Sequence, residues 1–226
     1  MTYSKIKKAT FISRPNRFVA YVNIDGEETA CHVKNTGRCR ELLVPGAEVY
    51  LEVSDNPARK YKHSLVAVRK GERLVNMDSQ APNKMVGEWL EGSGMFQNIR
   101  LLKAESTYKK SRFDFYCEYE DKKAFIEVKG VTLENYGVVS FPDAPTERGT
   151  KHINELMECM GEGYEAYIIF VVQMKDVLYF TPNEDHDPAF AKALRKAAKC
   201  GVNIIAVDSD INESSAVIKD RVEVRL

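Results

Sequence analysis

Apolar and polar positions alternate through most of the first 77 residues, which marks half-buried strands. Ala9 to Arg14, Phe18 to Ile24, Glu28 to Val33, Ala47 to Val53, His63 to Arg69 and Arg73 to Met77 all read this way. Asp25-Gly26 separates two of these runs. A type I′ turn needs positive φ at both central residues, so a tight hairpin is expected there. Cys39 to Val44 is expected to make one helical turn, closed by Pro45-Gly46. Short strands at this spacing predict a small antiparallel barrel.

After Ser79 the pattern changes. Pro82 suits a first helical turn capped by Asp78 or Ser79, and Met85, Trp89 and Leu90 space one buried face of a helix over Asn83 to Leu90. A strand is expected at Ile99 to Ala104, then a hairpin from Ser111 to Leu133. A turn at Asn135-Tyr136-Gly137 follows. The next helix should start with Asp143 or Thr146 as cap and Pro145 in its first turn, and stop at Gly161-Glu162-Gly163. Tyr164 to Val172 is a continuous apolar run, as in a strand covered on both faces. Val177 to Thr181, a helix from Asp187 to Lys199, a strand at Val202 to Val207 and an edge strand within Ala216 to Leu226 complete the chain. The fold class is α/β with an all-β N-terminal part. Residues 1–81 form the barrel, and residues 82–226 form a mixed sheet flanked by helices.

The chemistry concentrates in the hairpin. Phe113, Phe115 and Cys117 alternate with Arg112, Asp114 and Tyr116. Ala124, Ile126 and Val128 alternate with Phe125, Glu127 and Lys129. A two- or four-residue loop centred on Glu120-Asp121 would set Asp114 opposite Glu127, with Phe113, Phe115, Ile126 and Val128 beneath. An odd loop length would separate the acids. Lys129 lies roughly 7 Å beyond Glu127 on the same face, at about 3.3 Å per residue. Two carboxylates side by side repel, and a hard divalent cation removes that repulsion. Spacing alone leaves two readings open: a cross-strand ion pair on a solvated face, or a metal site with an amine beside it.

The longer strings add to this. Asp114 followed by Glu127-Val128-Lys129 resembles the signature of the restriction-endonuclease-like, or PD-(D/E)XK, nucleases. Ser111-Arg112-Phe113-Asp114, Glu127-Val128-Lys129-Gly130-Val131-Thr132-Leu133, Phe141-Pro142-Asp143-Ala144 and Arg148-Gly149-x-Lys151-His152 resemble the sugar fermentation stimulation protein A family. So do Arg14-Pro15-Asn16-Arg17-Phe18 and His32-Val33-Lys34-Asn35-Thr36-Gly37-Arg38, so the resemblance covers nearly the whole chain. Phe113 stands where the superfamily has a proline. The resemblance implies an OB-fold-like, nucleic-acid-binding barrel followed by a PD-(D/E)XK nuclease-like domain. It implies that Asp114, Glu127 and the Val128 carbonyl hold Mg²⁺ or Mn²⁺, with Lys129 as the third catalytic group. Glu88 or Glu105 is a candidate accessory acid, and Arg148 and His152 flank the site from the helix after the hairpin. The implied function is DNA binding with a metal-dependent phosphodiester-cleaving site. A DNA-binding regulator of sugar metabolism that keeps the scaffold without turnover is the second reading. A sugar-phosphate binder is the third.

Charge sharpens the picture only slightly. The net formal charge is zero, but residues 1–82 carry 14 Lys/Arg against 9 Asp/Glu. The candidate nucleic-acid contacts in this basic part are Arg14, Asn16, Arg17, Lys34, Asn35, Arg38, Arg40, Arg59 and Lys60, interleaved with Phe18 and Tyr61. Solvated loop charge explains any one of them equally well, and Asn35 or Thr36 has a capping role open to it. Five cysteines without CxxC spacing argue against a disulfide framework or a zinc site. No apolar leader or membrane span is visible, so a cytoplasmic location is expected. Assembly into a homo-oligomer stays open.

Overall fold

The computed structural model describes residues 1–226. The first six strands are β1 (Ile6–Ser13), β2 (Val19–Ile24), β3 (Glu27–Val33), β4 (Glu48–Val53), β5 (His63–Lys70) and β6 (Arg73–Asn76). They hydrogen-bond in the order β3-β2-β1-β4-β5-β6, and β3 also pairs parallel with β5 through His32↔Ser64 and Val33↔Leu65. That extra pairing closes five strands into an OB-like barrel and removes the free edges. The hairpin turn falls at Asp25-Gly26, with φ of 53° and 95°. Cys39 to Val44 makes a single turn, in which Leu43 N–H donates to the Cys39 carbonyl at 2.9 Å.

The second part runs α1 (Ala81–Gly92), β7 (Ile99–Tyr108), β8 (Ser111–Tyr119), β9 (Lys122–Val131), β10 (Leu133–Asn135), β11 (Val138–Phe141), α2 (Glu147–Gly161), β12 (Glu165–Val172), β13 (Tyr179–Pro182), α3 (Pro188–Lys199), β14 (Asn203–Ile211) and β15 (Ala216–Val224). Its nine strands form one mixed sheet in the order β10-β11-β13-β15-β14-β12-β9-β8-β7. β12 sits parallel to both β9 and β14, which is why its apolar run is buried on both faces. No helix is long and apolar enough to cross a membrane.

Four expectations need correction. The N-cap of α1 is Gln80, with no side-chain cap bond, and Asp78 Oδ1 accepts from the Gln80 N–H just before the helix. β15 is not an edge strand; it lies between β14 and β13, a long-range pairing that local pattern does not specify. Pro145 lies outside α2, because Thr146 is the N-cap and its hydroxyl accepts from Gly149 N–H at 3.0 Å. Phe113 and Phe115 do not share a face. Phe113 packs with Phe125 and Ile153 on the α2 side, whereas Phe115 packs with Met85 and Ile126 on the α1 side.

The two parts share a continuous apolar core that runs from Ala20 and Val22 through Met77 to Val131 and Phe170. A buried polar knot stitches them further. Gln173 Nε2 donates to Asn76 Oδ1 at 2.9 Å and to the Asp78 carbonyl at 3.1 Å, and Asn76 Nδ2 donates to the Tyr3 hydroxyl at 2.8 Å. The first residues cross to the second part, where Tyr3 N–H donates to the Ser214 carbonyl at 2.8 Å. Gly130, directly after Lys129, is held against this knot. A Cβ there would lie 2.6 Å from Gln173 Oε1 and 2.8 Å from Pro82 Cγ.

Gly130→Ala is therefore expected to lower stability by roughly 1–3 kcal/mol, because neither neighbour is free to retreat. Gly92→Ala, with nothing within 4 Å of the added carbon, should be neutral or slightly stabilising. Denaturant midpoints at constant m-value check both.

Candidate active site

The site begins where β8 and β9 part. A two-residue turn at Glu120-Asp121 sets Tyr119↔Lys122 through Phe115↔Ile126 in register, which points Asp114 at Glu127. The ladder stops at Phe115↔Ile126. Beyond it the Asp114 side chain, not the β8 backbone, satisfies the next strand amide: Asp114 Oδ2 accepts from Val128 N–H at 2.8 Å. Its other oxygen, Oδ1, accepts from Asn83 Nδ2 of α1 at 2.7 Å. Across from Asp114, Glu105 adopts φ 53°, so the β7–β8 pair is also irregular at this point.

Glu127 lies in the middle of the sheet, level with Ile168 of β12, and is 3% exposed. Its Oε1 accepts from Lys129 Nζ at 2.5 Å and lies 2.6 Å from His152 Nδ1, the donor when the glutamate is ionised. The Phe113 ring stands edge-on to His152. Glu127 Oε2 is buried and has no partner. Burial pushes the Glu127 carboxyl up, but His152 and Lys129 outweigh it and hold the carboxyl below its ordinary value. Asp114 goes the other way. Burial and then the Glu127 charge raise it, and the Val128 amide, Asn83 and Lys129 offset only part of that. The two acids are thus close enough to feel each other, and one buried oxygen of Glu127 lacks a donor. Such an atom costs about 1–3 kcal/mol unless something positive satisfies it. No three His, Cys, Asp or Glu side chains converge as a metal cluster anywhere in the chain. The donor set fits a hard cation that takes one or two carboxylates and completes its shell with water and phosphate oxygens.

The accessory candidates divide. His152 is at the site. Arg148, one turn earlier on α2, lies on the same stripe, exposed and without an ion-pair partner. Glu88 is not at the site; it is exposed and binds the N-terminal ammonium at 2.6 Å. Glu105 is exposed and pairs with Arg112 at 3.4 Å. Asn83 is the residue that sequence reasoning missed. It is a polar side chain on the buried stripe of α1 with Val86 and Leu90, and that was its only signal.

The barrel candidates divide in the same way. Arg14 spends its guanidinium on four backbone carbonyls, those of Arg17, Asn35, Gly37 and Arg38. Asn16 Oδ1 accepts from the Phe18 and Val19 amides. Lys34 pairs with Glu52 and Asp78, while Asn35 accepts from Gly37 N–H and donates to the Met77 carbonyl. Arg59 donates to Ser64 Oγ at 2.8 Å. All five make hydrogen bonds or ion pairs within the chain, most completely Arg14 and Lys34. Arg17, Arg38 and Arg40 are exposed with free guanidiniums, and Lys60 is exposed over the Tyr61 ring.

A cleft of about 180 Å³ opens between the two parts, lined by Thr36, Gly37, Ser79, Gly130, Thr132 and Asp143 among others. It starts one residue past Lys129. A wider cavity of about 860 Å³ lies elsewhere, at the β5–β6 turn, where Lys70 and Arg73 both pair with Glu134. Its charges are internally compensated, and none of the candidate residues lines it.

Comparison with known proteins agrees with this architecture. Residues 12–77 match the family described as SfsA N-terminal OB domain, and residues 80–215 match the sugar fermentation stimulation protein RE domain. A sugar fermentation stimulation protein homolog of Clostridium beijerinckii is 57% identical over 226 residues, covering 100% of both chains. One of Ruminiclostridium cellulolyticum is 58% identical over 226 residues, again covering 100% of both. A solved structure, described as Pyrococcus furiosus SfsA in complex with Ca²⁺, is 26% identical and superposes with a TM-score of 0.90, over 100% of this chain and 98% of that one. With both domain matches in chain order and relatives similar from end to end, this chain belongs to the sugar fermentation stimulation protein A family, an OB-like barrel joined to a restriction-endonuclease-like core.

Proposed function

We propose that the chain binds DNA and cleaves phosphodiester bonds with a divalent cation held by Asp114, Glu127 and the Val128 carbonyl. The observation that carries this reading is the buried, unpartnered Glu127 Oε2 beside a second carboxylate. The Pyrococcus furiosus relative, described in complex with Ca²⁺, supports a divalent site in this fold. Bound Mg²⁺ or Mn²⁺ would supply an acidified water and neutralise charge on the phosphate. Asn83 and the Val128 amide fix the Asp114 carboxylate. His152 holds Glu127 by one oxygen and leaves the other free. Lys129 places an ammonium where it can orient the attacking water or share the charge of a phosphate oxygen. Arg148 adds a free guanidinium one helical turn away, and the barrel holds the rest of the strand.

One observation favours binding without turnover: Lys129 and His152 already compensate Glu127 without a cation. Metal binding with no cleavage of any DNA would select that reading.

Mn²⁺ or Mg²⁺ is expected to raise the thermal midpoint, by about 2.7 kcal/mol of stabilisation at a hundredfold excess over Kd. Asp114→Ala and Glu127→Gln should abolish the rise and any Mn²⁺-dependent cleavage of single- and double-stranded DNA. Lys129→Met should keep the rise but lose roughly 10²–10³ in cleavage rate. Equal residual cleavage by wild type and Asp114→Ala would mean contamination and would remove the nuclease reading.

The metal-free protein should also carry a pH signature. Asp114 keeps its proton to a higher pH in the folded chain than its ordinary value of 3.8. Between those two values the native state binds more protons than the unfolded chain, so this group makes stability fall as pH rises. Glu127 has the opposite sign: its contribution is present above its ordinary 4.5 and is lost as pH falls through its lower folded value. Unfolding in EDTA across the acid range should show both slopes. Asp114→Asn should remove only the first, and the cation should cancel it in the wild type.

A further inference from the structure

We infer that the barrel grips an unpaired stretch of nucleic acid, with a base stacked on Phe18 and phosphates on Arg17, Arg38 and Arg40. The grip rests on the nucleic-acid reading above but not on cleavage.

Most cations of the barrel are spoken for. Lys5 pairs with Asp55, Lys7 with Asp25, Lys8 and Arg69 with Glu48, and Lys70 with Glu134. Lys60 and Lys62 are exposed without an ion pair in the loop before β5, but the free guanidiniums gather in one depression of about 510 Å³ between the β1–β2 loop and the segment after β3, lined by Arg14, Arg17, Arg38 and Arg40 and by no acid. Three of its guanidiniums have no partner. The fourth, Arg14, is the scaffold. Its Nη1 donates to the carbonyls of Gly37 at 2.8 Å and Arg38 at 2.9 Å, and its Nη2 to those of Arg17 at 2.7 Å and Asn35 at 2.6 Å. One side chain therefore locks both loops that carry the free charges. Uncompensated like charges are held together at a repulsive cost, and a polyanion relieves that repulsion.

Phe18 identifies the kind of polyanion. Its side chain is 55% exposed, yet its backbone is fixed at both ends. Phe18 N–H donates to Asn16 Oδ1 at 2.9 Å, and its carbonyl accepts from Val33 N–H at 2.8 Å. An exposed apolar ring on a fixed backbone, directly after the free Arg17 in the chain, suits a nucleobase face. In a duplex both faces of each base are covered by its neighbours, so such a platform serves only an unpaired base. The path onward is short. A Cβ on Gly37 would lie 2.7 Å from Asp143 Oδ2, and Asp143 leads into α2, which carries Arg148 and His152. Asp143 faces the barrel loop, and the other acid before Arg148 is the exposed Glu147 in the first turn of α2.

Fluorescence anisotropy in EDTA, with labelled oligothymidylate, the mixed-sequence duplex and a single-stranded RNA of matching length, tests the inference. Oligothymidylate should bind about tenfold or more tighter than duplex. Phe18→Ala should lose about tenfold, and Phe18→Trp should retain affinity, as one stacked base requires. Arg17→Ala, Arg38→Ala and Arg40→Ala should each weaken binding and reduce the salt slope by about 0.7. Lys192→Ala, on the exposed face of α3, should leave affinity in EDTA unchanged. Equal binding of single-stranded RNA supports the grip, since stacking and phosphate contacts are common to both; RNA failure assigns it to DNA. Duplex binding as tight as oligothymidylate, or no effect of Phe18→Ala, overturns the inference while leaving nucleic-acid binding in place. Failure of all three probes overturns both.

Discussion

The candidate site depends on one substitution of partners: the Asp114 carboxylate stands in for the β8 backbone as acceptor for Val128 N–H. A strand amide in a buried sheet cannot go without an acceptor. Because a side chain supplies it, β8 is free to leave the ladder after Phe115. The same departure changes the face on which Phe113 packs and puts Phe113 against His152. The space between the strands, the placement of the first acid and the support of the histidine that holds the second acid all follow from it. A regular hairpin through Phe113 would close that space.

The charges in this space are unequal. Glu127 is almost fully buried, yet two donors keep it ionised; Asp114 has only neutral donors and bears the repulsion of Glu127. Glu127 is compensated in charge but has one oxygen without a donor, whereas Asp114 has a donor on each oxygen but no cation paired with it. The Lys–Glu–His cluster, which would be structural in isolation, thus carries an orphaned oxygen on its own glutamate. Buried charge is costly unless paired, and the pairing here is incomplete.

Much of this was legible before any coordinates. Alternation and Asp25-Gly26 were enough for the barrel strands, and the two-residue loop at Glu120-Asp121 was one of the lengths that bring Asp114 to Glu127. Local pattern could not choose between loop lengths, because register is a property of the pair of strands. It could not place β15 inside the sheet, since that pairing joins distant segments. Nor could it see the change of face at Asp114, because period-two reasoning assumes that the ladder continues. Asn83 was invisible for a related reason: its partner comes from a strand about thirty residues away, and a single Asn in a first helical turn ordinarily reads as a cap.

The arginines teach the same lesson in a form that bears on function. Arg14 and Arg38 are indistinguishable as sequence signals: both are basic, both sit in loops of one barrel, and both fall in the strings that resemble the family. In the fold they are opposites. Arg14 has its four terminal N–H groups on carbonyls and so has little left to offer a phosphate. Arg38 is exposed, and its guanidinium has no partner within the chain. A cation's availability is set by what else it could bond, and a guanidinium gives up several backbone carbonyls only for something better. Yet the spent arginine makes the free ones useful. Without its four bonds the two loops would have to be ordered on binding, at a cost of roughly 1–2 kcal/mol per residue fixed. With them, Phe18, Arg17 and Arg38 are held in one arrangement beforehand, so a ligand that matches it need not offset that ordering cost.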